Sequence, residues 1–417
     1  MPRILNVYLH NNLAGKLTQN DDGRLEFQYN IEYIIQNNSM PLSVAIPFRE
    51  ERYEDRIARP FFSGLLPDDN ALVRVAKFLG ISHKNPFALL EIIGGECAGA
   101  VSLYPESYEI MASIKDEVSI LDEENLLRIL ELLKQRPLLA GEEGLRLSLA
   151  GAQDKLPVSL IEDQIVLVNS DRPTTHILKP LISGVEDSVH NELFCMQLAK
   201  MSGLEVPECT IKYAGNVPVF LIERYDRNRD ENGYLIRIHQ EDFCQALSIP
   251  PEIKYQNEGG PGIAGCLELV KNYSRYPAKD NLLFISVLIF NYMIGNADAH
   301  GKNYALLYRE FKPGFAPVYD LICTEIYSNL SHKMAMKIGS KYEPYDVMMR
   351  HWMTIVPDMA AARNMLKRDL KNMAEKLPEL ARTLKKNLED KGIRSNIYDK
   401  IVSVIDKRSK HVLNYFE

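Results

Sequence analysis

The sequence predicts an α+β protein with two lobes, a strand-rich one followed by an all-helical one, and with an extra subdomain at the N-terminus. Short segments of alternating polar and apolar residues, separated by Asn, Asp and Gly turns, open the chain and return after residue 145. From residue 342 onward the apolar residues have only helical spacing. Strands and helices segregated in this way are typical of α+β folds. We expect a subdomain at 1–107, a strand-rich lobe at 108–240 and a helical lobe at 241–417.

Composition and charge exclude several classes of protein. The 417 residues are 46% hydrophobic and 25% charged, which is ordinary for a folded globular chain but long for a single core. A net charge of -7 argues against independent nucleic-acid binding, which needs a concentrated basic surface. Residues 1–17 lack the apolar run of a secretory signal, and residues 282–295 are shorter than the roughly 20 residues that span a bilayer. We expect a cytoplasmic protein without membrane contact, and reduced core cysteines because the six cysteines lie far apart.

The first hundred residues have the pattern of a small mixed subdomain. Three strand segments in succession predict a meander, and they are followed by two helical patterns. The strands are expected at 4–9, 16–18 and 24–29, and the helices at 68–79 and 119–133. A Gly- and Glu-containing loop comes next, so a boundary is predicted between residues 107 and 144.

The order of elements between residues 145 and 239 is more informative than any one of them. A strand pair is followed by a strand at 176–179, a helix and a second strand pair. Asp187 and Ser188 can cap the start of the helix, and Gly203 suits its left-handed C-terminal position. The second pair, 209–213 and 217–222, is joined by an Ala-Gly-Asn turn that favours a hairpin.

A loop directly after the apolar helix at 282–295 has the strongest chemical signal. Within it Asp298 and Asn303 have the D-x-x-x-x-N spacing of a kinase catalytic loop, in which the aspartate accepts the hydroxyl proton and the asparagine binds a metal ion. Two strands are expected next, at 304–308 and 315–319, and Asp320 follows the second. Asn303 and Asp320 together supply the hard oxygen ligands that Mg²⁺ prefers. For each residue alone, a role in capping or turning the chain is the alternative.

Two upstream segments fit other parts of a kinase. Lys179 ends a strand and can bind phosphates, and Glu192 in the following helix is a candidate ion-pair partner. The segment Glu223, Arg224 and Tyr225 follows the strand at 217–222, where backbone groups could pair with an adenine edge. The alternatives are a solvated lysine for Lys179 and a salt-bridged loop for residues 223–225.

A loop of small residues two strands before Lys179 is the candidate cover for the phosphates. Ser148 precedes its glycine, and its backbone amides could approach phosphate oxygens, although the loop is neither G-x-G-x-x-G nor a Walker A sequence. The candidate nucleotide-binding residues of this loop are Ala150, Gly151, Ala152, Gln153, Asp154 and Lys155.

Taken together, these segments resemble the HipA family of bacterial toxin kinases. The resemblance rests on residues 148–155, 174–179, 223–227, 259–262 and the Asp298 loop, and it covers nearly the whole chain. It implies a two-lobed protein-kinase-like fold and a serine/threonine kinase that uses ATP and Mg²⁺. It further implies the toxin of a type II toxin-antitoxin pair, restrained by a HipB-like helix-turn-helix antitoxin that makes the DNA contact.

The resemblance also implies a role for each site residue. Asp298 is the catalytic base, Asn303 and Asp320 bind Mg²⁺, and Lys179 holds the phosphates. The adenine is bound by residues 223–225, while His300 and Tyr319 line the nucleotide site. Ser148 matches a serine that such kinases phosphorylate on themselves, which switches the enzyme off. The implied protein substrate is a translation component such as an aminoacyl-tRNA synthetase.

Two other functions stay open at this point. Asp298, His300 and Asn303 also have the D-x-H-x-x-N spacing of phosphoinositide kinases, so the acceptor could be a lipid or a small molecule. A pseudokinase or DNA-binding co-repressor would use the fold only for contacts. The C-terminal helices contain seven cations interleaved with acidic residues, and we expect them to form a solvated face. They are Arg363, Lys367, Arg368, Lys371, Arg382, Lys385 and Lys386.

Overall fold

A computed structural model describes residues 2–108, 118–142, 144–168 and 172–417. The chain forms two compact units, each assembled from separate stretches of sequence. Unit 1 consists of Met1–Pro180, Lys212–Ile253 and Ala305–Gly314, and unit 2 of Leu181–Ile211, Lys254–Tyr304 and Phe315–Glu417. The domain boundaries expected at residues 107 and 240 stay a prediction.

The strands and α-helices follow in chain order. The strands are β1 Arg3–Leu9, β2 Asn12–Gln19, β3 Leu25–Tyr29, β4 Val101–Pro105, β5 Val118–Ile120, β6 Leu156–Ile161, β7 Gln164–Val168, β8 His176–Lys179, β9 Cys209–Ala214, β10 Val217–Glu223, β11 Arg227–Arg229, β12 Leu235–Arg237, β13 His239–Asp242, β14 Ala305–Tyr308 and β15 Gly314–Phe315. The helices are α1 Ile31–Ile34, α2 Asp55–Ser63, α3 Asp69–Leu79, α4 Pro86–Ile93, α5 Glu123–Gln135, α6 Ser188–Met201, α7 Phe243–Ala246, α8 Ile263–Tyr273, α9 Pro277–Ile294, α10 Met349–Trp352, α11 Ala360–Asp390 and α12 Ile397–Leu413.

The N-terminal strands form an antiparallel sheet in unit 1 with the order β3-β2-β1-β4. Alternate residues of β1, namely Leu5, Val7 and Leu9, are fully buried, as the period of two along a strand requires. They belong to an apolar core that includes Phe27 and Phe62 and is covered by α2 and α4. The predicted meander is confirmed.

The second sheet has the order β5-β7-β6-β8-β10-β9. Strand β8 pairs antiparallel with β6 and β10, which places Lys179 opposite Phe220.

The helix predicted at 119–133 begins later, at Glu123, because the side chain of Asp122 accepts a hydrogen bond from the amide of Asn125 at 2.8 Å and caps it. The residues before the cap form β5.

Unit 2 is mainly helical, with α6, α9, α11 and α12 packed on one another. Helix α9 contains the predicted apolar stretch and is buried over most of its length. Only helical elements follow residue 342 among the named elements, as expected.

The predicted strand at 315–319 is wrong, since β15 ends at Phe315. Pro317 has no amide hydrogen, and the amide of Val318 donates to the carbonyl of Glu205 instead of to a strand partner, at 2.8 Å.

Within the described parts of the chain, no helix combines the length and the apolar character needed to cross a bilayer. All six cysteines are free thiols and five of them are buried. Cysteines in such positions act as small apolar core residues, in agreement with the expectation from their spacing.

Candidate active site

The candidate residues divide between the two units, and each set is described within its own unit. Unit 1 holds the loop at 148–155, Lys179 and residues 223–225. Unit 2 holds Glu192, the loop at 295–303 and the segment 319–320.

Neutral hydrogen bonds fix the loop that carries Asp298. Helix α9 ends at Gly295 in a left-handed conformation, with φ of 72°, where an added Cβ would lie 2.8 Å from a methyl carbon of Val404. The side chain of Asn296 accepts from the amide of Asp298 at 3.0 Å. The hydroxyl of Thr324 accepts from the amide of Ala297 at 2.8 Å and donates to the carbonyl of Gly295 at 3.1 Å. The backbone next to Asp298 is therefore held from two directions.

The carboxylate of Asp298 is exposed, while its neighbour Asn296 is buried. The hydroxyl of Tyr255 donates to Oδ1 of Asp298 at 2.6 Å. An ionised carboxylate has about four lone-pair sites, so the bond from Tyr255 does not by itself saturate its acceptor capacity. An exposed, oriented carboxylate of this kind can accept a proton from an incoming hydroxyl group.

Asn303 and His300 are joined by two hydrogen bonds within the loop. The amide of His300 donates to Oδ1 of Asn303 at 3.1 Å, and the amide of Asn303 donates to the carbonyl of His300 at 3.0 Å. The buried ring of His300 lies edge-on to Tyr255, with 5.1 Å between ring centroids. Burial, reinforced by the charges of Lys254 and Lys302, lowers the pKa of His300 to about 3. Its imidazole is therefore neutral at physiological pH.

Asp320 has a positive φ of 54°, a conformation that aspartate tolerates better than most residues but that still costs energy. The hydroxyl of Tyr319 donates to the carbonyl of Lys302 at 2.7 Å, which joins the segment of Asp320 to the segment of Asn303. Tyr319 thus has a defined structural contact in addition to its predicted place at the nucleotide site.

The chemistry of this donor pair fits Mg²⁺. Asn303 and Asp320 offer an amide and a carboxylate oxygen, and Mg²⁺ is usually bound by one or two carboxylates together with water and phosphate oxygens. Among the described residues, no cluster of three or more His, Cys, Asp or Glu side chains is arranged to hold a metal ion by itself. Asn303 and Asp320 therefore suit a Mg²⁺ ion that binds together with a nucleotide.

The candidate nucleotide loop of unit 1 contacts two N-terminal segments, one at residues 65–68 and the other at Glu96. Ser148 is fully buried, its amide donates to the carbonyl of Glu96 at 2.8 Å, and its hydroxyl donates to the carbonyl of Leu65 at 2.8 Å. The carbonyl of Gly151 accepts from the amide of Asp68 at 3.1 Å. Gly151 has a φ of 113°, a backbone conformation that L side chains rarely adopt, so the loop favours glycine here.

Side chains secure the rest of the loop. Lys155 donates to the carbonyl of Ala150, and Gln153 donates to the carbonyl of Pro180 at 3.1 Å. Asp154 forms an ion pair with Arg74 of α3. Burial raises the pKa of Asp154, and Arg74 opposes that rise.

Lys179 lies at the end of β8 and is buried, with Nζ 5.8 Å from the centre of the Phe220 ring. A buried strand-end lysine differs from the solvated one that was the alternative. Glu192 is buried within α6 of unit 2. Its pairing with Lys179 stays a prediction.

Arg224 belongs to a buried cluster of charges in unit 1. Its guanidinium donates to Glu96 at 3.0 Å and to Asp226 at 2.9 Å, and its amide donates to the carbonyl of Thr175 at 2.9 Å. The salt-bridged alternative therefore holds for the Arg224 side chain. Any pairing with an adenine edge is left to other backbone groups of Glu223 and Tyr225.

Several residues of these sites were not predicted from the sequence. Tyr255 and Thr324 are distant from Asp298 along the chain, and Glu96 and Arg74 are distant from residues 148–154. The local signal was the position of Thr324 four residues after Asp320, the candidate metal ligand. The other contacts depend on tertiary structure.

Comparison with known proteins agrees with this fold. The model of the HipA N-terminal domain matches residues 5–104, and the model of the HipA-like C-terminal domain matches residues 147–385. Together they place both the N-terminal sheet and the Asp298 loop within one family. The chain belongs to the HipA family.

Individual relatives extend along most of the chain. It is 41% identical over 413 residues to the Sinorhizobium fredii protein Y4mE, covering 98% of each chain. It is 28% identical over 355 residues to the serine/threonine-protein kinase toxin HipA of Shewanella oneidensis, covering 82% of this chain and 81% of that protein. The HipA structure solved with HipB and operator DNA from the same organism matches with a TM-score of 0.80 and 22% identity, over 99% of this chain and 96% of that one. The last match shows the two-lobed HipA fold.

Proposed function

We propose that this protein is a kinase of the toxin type that transfers the γ-phosphoryl group of Mg-ATP to a serine or threonine hydroxyl of another protein. Both curated relatives described above have kinase names, and one is named a serine/threonine-protein kinase toxin. The single observation that carries the proposal is the exposed Asp298 carboxylate on a loop fixed by part-buried hydrogen bonds.

Asp298 is the proposed catalytic base. Its backbone is held by Asn296 and by the Thr324 contact to Ala297, and its side chain by Tyr255, so the carboxylate meets an acceptor hydroxyl in a restricted orientation. It accepts the hydroxyl proton as the oxygen attacks the γ-phosphorus, while the bond from that phosphorus to the bridging oxygen breaks and ADP leaves. Positioned proton transfer of this kind contributes about 10²- to 10⁴-fold to rate.

Asn303 and Asp320 are the proposed metal ligands. A bound Mg²⁺ would supply positive charge to the phosphate oxygens as negative charge develops during transfer. The hydrogen bond from Tyr319 to Lys302 keeps the two ligand segments together. In unit 1 the loop at 150–155 and Lys179 would bind the phosphates, and the backbone at residues 223–225 the adenine.

Ser148 is the proposed site of autophosphorylation. In the structure its hydroxyl is buried and donates to Leu65, where a phosphate with about -1.5 to -2 charges cannot be accommodated. Modification therefore requires residues 146–151 to leave the N-terminal segments, and the added charge opposes their return. This sequence of events would inactivate a loop whose task is to bind phosphates.

The proposed partner is a HipB-like helix-turn-helix antitoxin. Support comes from the fold shared with a HipA solved in complex with HipB and operator DNA. Five of the seven C-terminal cations have acidic partners: Arg363, Arg368, Lys371, Arg382 and Lys385. DNA contact is therefore assigned mainly to the antitoxin, and the protein substrate to a translation component such as an aminoacyl-tRNA synthetase.

Incubation of the purified chain with γ-labelled ATP, Mg²⁺ and a bacterial lysate tests this proposal. Mass spectrometry should find labelled serine or threonine in polypeptides. Label found only in lipids or small metabolites would favour the D-x-H-x-x-N alternative. Failure to bind Mg-ATP in a thermal-shift titration would favour a pseudokinase.

A further inference from the structure

A cavity of about 540 Å³ opens beside the proposed base within unit 2. Asp298 and Tyr255 are part of its lining, together with the polar residues Thr324 and Ser331. Four further lining residues are largely apolar, and they follow Asp320 in the chain. They are Leu330, Met334, Ala335 and Tyr342.

The apolar wall of the cavity, within residues 330–342, is hydrogen-bonded through its backbone to the loop that carries Asp298. The amide of Ala335 donates to the carbonyl of Ala297 at 2.9 Å, one residue before Asp298. The carbonyl of Ala335 accepts from the amide of Gln256 at 3.1 Å, next to Tyr255. The amide of Met334 donates to the carbonyl of Tyr342 at 2.9 Å and closes the wall into a hairpin. These bonds keep the wall and the proposed base in one arrangement.

The lining has few charged groups besides Asp298. Lys333 and Glu258 are both exposed, and Lys333 lies 3.9 Å from Glu343. A phospholipid headgroup or a sugar phosphate is normally bound by several converging cations or donors. Among the described residues that line this cavity, Lys333 is the only cation. The chemistry therefore favours an uncharged, apolar occupant.

An extended polypeptide can place a hydroxyl group at Asp298 and an apolar side chain in the cavity at the same time. Its acceptor hydroxyl must come within about 3 Å of the Asp298 carboxylate. An extended chain advances about 3.3 Å per residue, and its side chains alternate in direction. A residue within about three positions of the acceptor can then insert its side chain into the cavity.

We propose that this cavity binds an apolar side chain of the substrate polypeptide, so that the kinase selects a serine or threonine with a Leu-, Met- or Phe-like residue at one fixed nearby position. The inference rests on the proposed protein kinase function and specifies its substrate class. Burial of such a side chain contributes about 1.5–3 kcal/mol, or about 10- to 100-fold in kcat/KM.

The first arm of the test uses the wild-type chain with Mg-ATP and a proteome digested to peptides. Mapped phosphosites should show an apolar residue enriched at one offset from the acceptor. In a synthetic peptide, replacing that residue by Asp should lower kcat/KM about 10- to 100-fold. Phosphorylated peptides with no such enrichment would overturn the cavity assignment while leaving the kinase function intact. Mg-ATP binding without transfer to any polypeptide would instead overturn the proposed function.

The second arm changes the charge of the wall with Met334→Lys, whose side chain is half-buried and whose backbone bond to Tyr342 does not depend on the side chain. The variant should prefer Asp or Glu at the same offset. A uniform loss of activity on all peptides would contradict the assignment, because a purely structural role does not change preference. Met359→Lys is the matched control, since Met359 is 61% exposed and is not part of the lining; its preference should match wild type. If Met334→Lys does not fold, the wild-type phosphosite map decides alone.

Discussion

The two candidate loops contact different kinds of surroundings. In unit 2 the loop of Asp298 is held by the neutral side chains of Asn296 and Thr324. In unit 1 the loop of Ser148 lies against Glu96, whose carboxylate is part of a buried cluster of charges. A base must keep one orientation, which these neutral, part-buried bonds provide. The Ser148 loop is also held by neutral bonds of its backbone and hydroxyl, but the Glu96 segment that it contacts is positioned by balanced buried charges, and this is the loop that we expect to move.

The charge cluster should give the largest effect on stability. Burial alone would raise the pKa of Glu96, but Arg224, Arg227 and Arg237 outweigh it and hold the pKa below its ordinary value. Glu96→Gln removes one of the two carboxylates that pair with both Arg224 and Arg227 and leaves Asp226 to balance two buried guanidinium groups, so it should lower the free energy of unfolding by about 3–5 kcal/mol. Denaturant titration measures this. The control is Glu91→Gln, which removes a partly exposed pair with Arg3 and should cost under about 1 kcal/mol. Equal small losses in the two variants would contradict a structural role for the cluster.

The neutral network should give a smaller but functionally visible effect. Thr324→Val keeps the shape of the side chain and removes the acceptor of the Ala297 amide, which should cost about 1–3 kcal/mol. The turnover number should fall as well, because the Asp298 backbone loses one of its restraints. Thr354→Val is the control, since the Thr354 hydroxyl only donates to a carbonyl, that of His351. Unchanged turnover in Thr324→Val would show that the network does not position Asp298.

Unit 1 should also respond to pH through Glu241, a buried residue that accepts hydrogen bonds from the amide of Val44 at 3.0 Å and from the hydroxyl of Tyr308. Burial raises the pKa of Glu241 to about 7 from an ordinary 4.5. The folded state therefore binds the proton more tightly than the unfolded chain, so this contribution to stability is complete below pH 4.5 and is lost as the pH rises to 7. The difference in unfolding free energy between wild type and Glu241→Gln should fall over that interval. A constant difference would rule out titration at Glu241.

The smallest stability effect is expected at Arg74, which pairs with Asp154 of the nucleotide loop. Both side chains are partly exposed, so Arg74→Ala should cost under about 1 kcal/mol. Without Arg74 the loop should nevertheless detach from the N-terminal segments more often, so phosphate should accumulate on Ser148 a few-fold faster. Intact-mass spectra measure this rate. Arg52→Ala, which breaks an exposed pair with Glu26, should leave that rate unchanged. Equal rates in all three proteins would show that Arg74 does not restrain the loop.

The sequence predicted the parts of the site that depend on neighbouring residues. The Asp298 loop was recognisable because the Gly295 cap and the spacing to Asn303 are local signals. The strand expected at 315–319 was wrong because Pro317 cannot donate a hydrogen bond to a strand partner and β15 ends at Phe315. The contacts of Tyr255, Thr324 and Glu96 could not be predicted, since each joins segments that are far apart in the chain and only the folded structure brings them together.

The most direct test of the whole account is Asp298→Asn, which keeps the shape of the side chain and removes its ability to accept a proton. Phosphotransfer, Mg-ATP affinity and unfolding midpoint should be measured on one preparation. Transfer should fall about 10²- to 10⁴-fold while ATP binding persists, because Lys179, Asn303 and Asp320 are unchanged. A residue that only stabilised the loop would instead show a loss of about 1 kcal/mol in stability and modest loss of activity. Near-normal phosphotransfer by the mutant would contradict the assignment of Asp298 as the base.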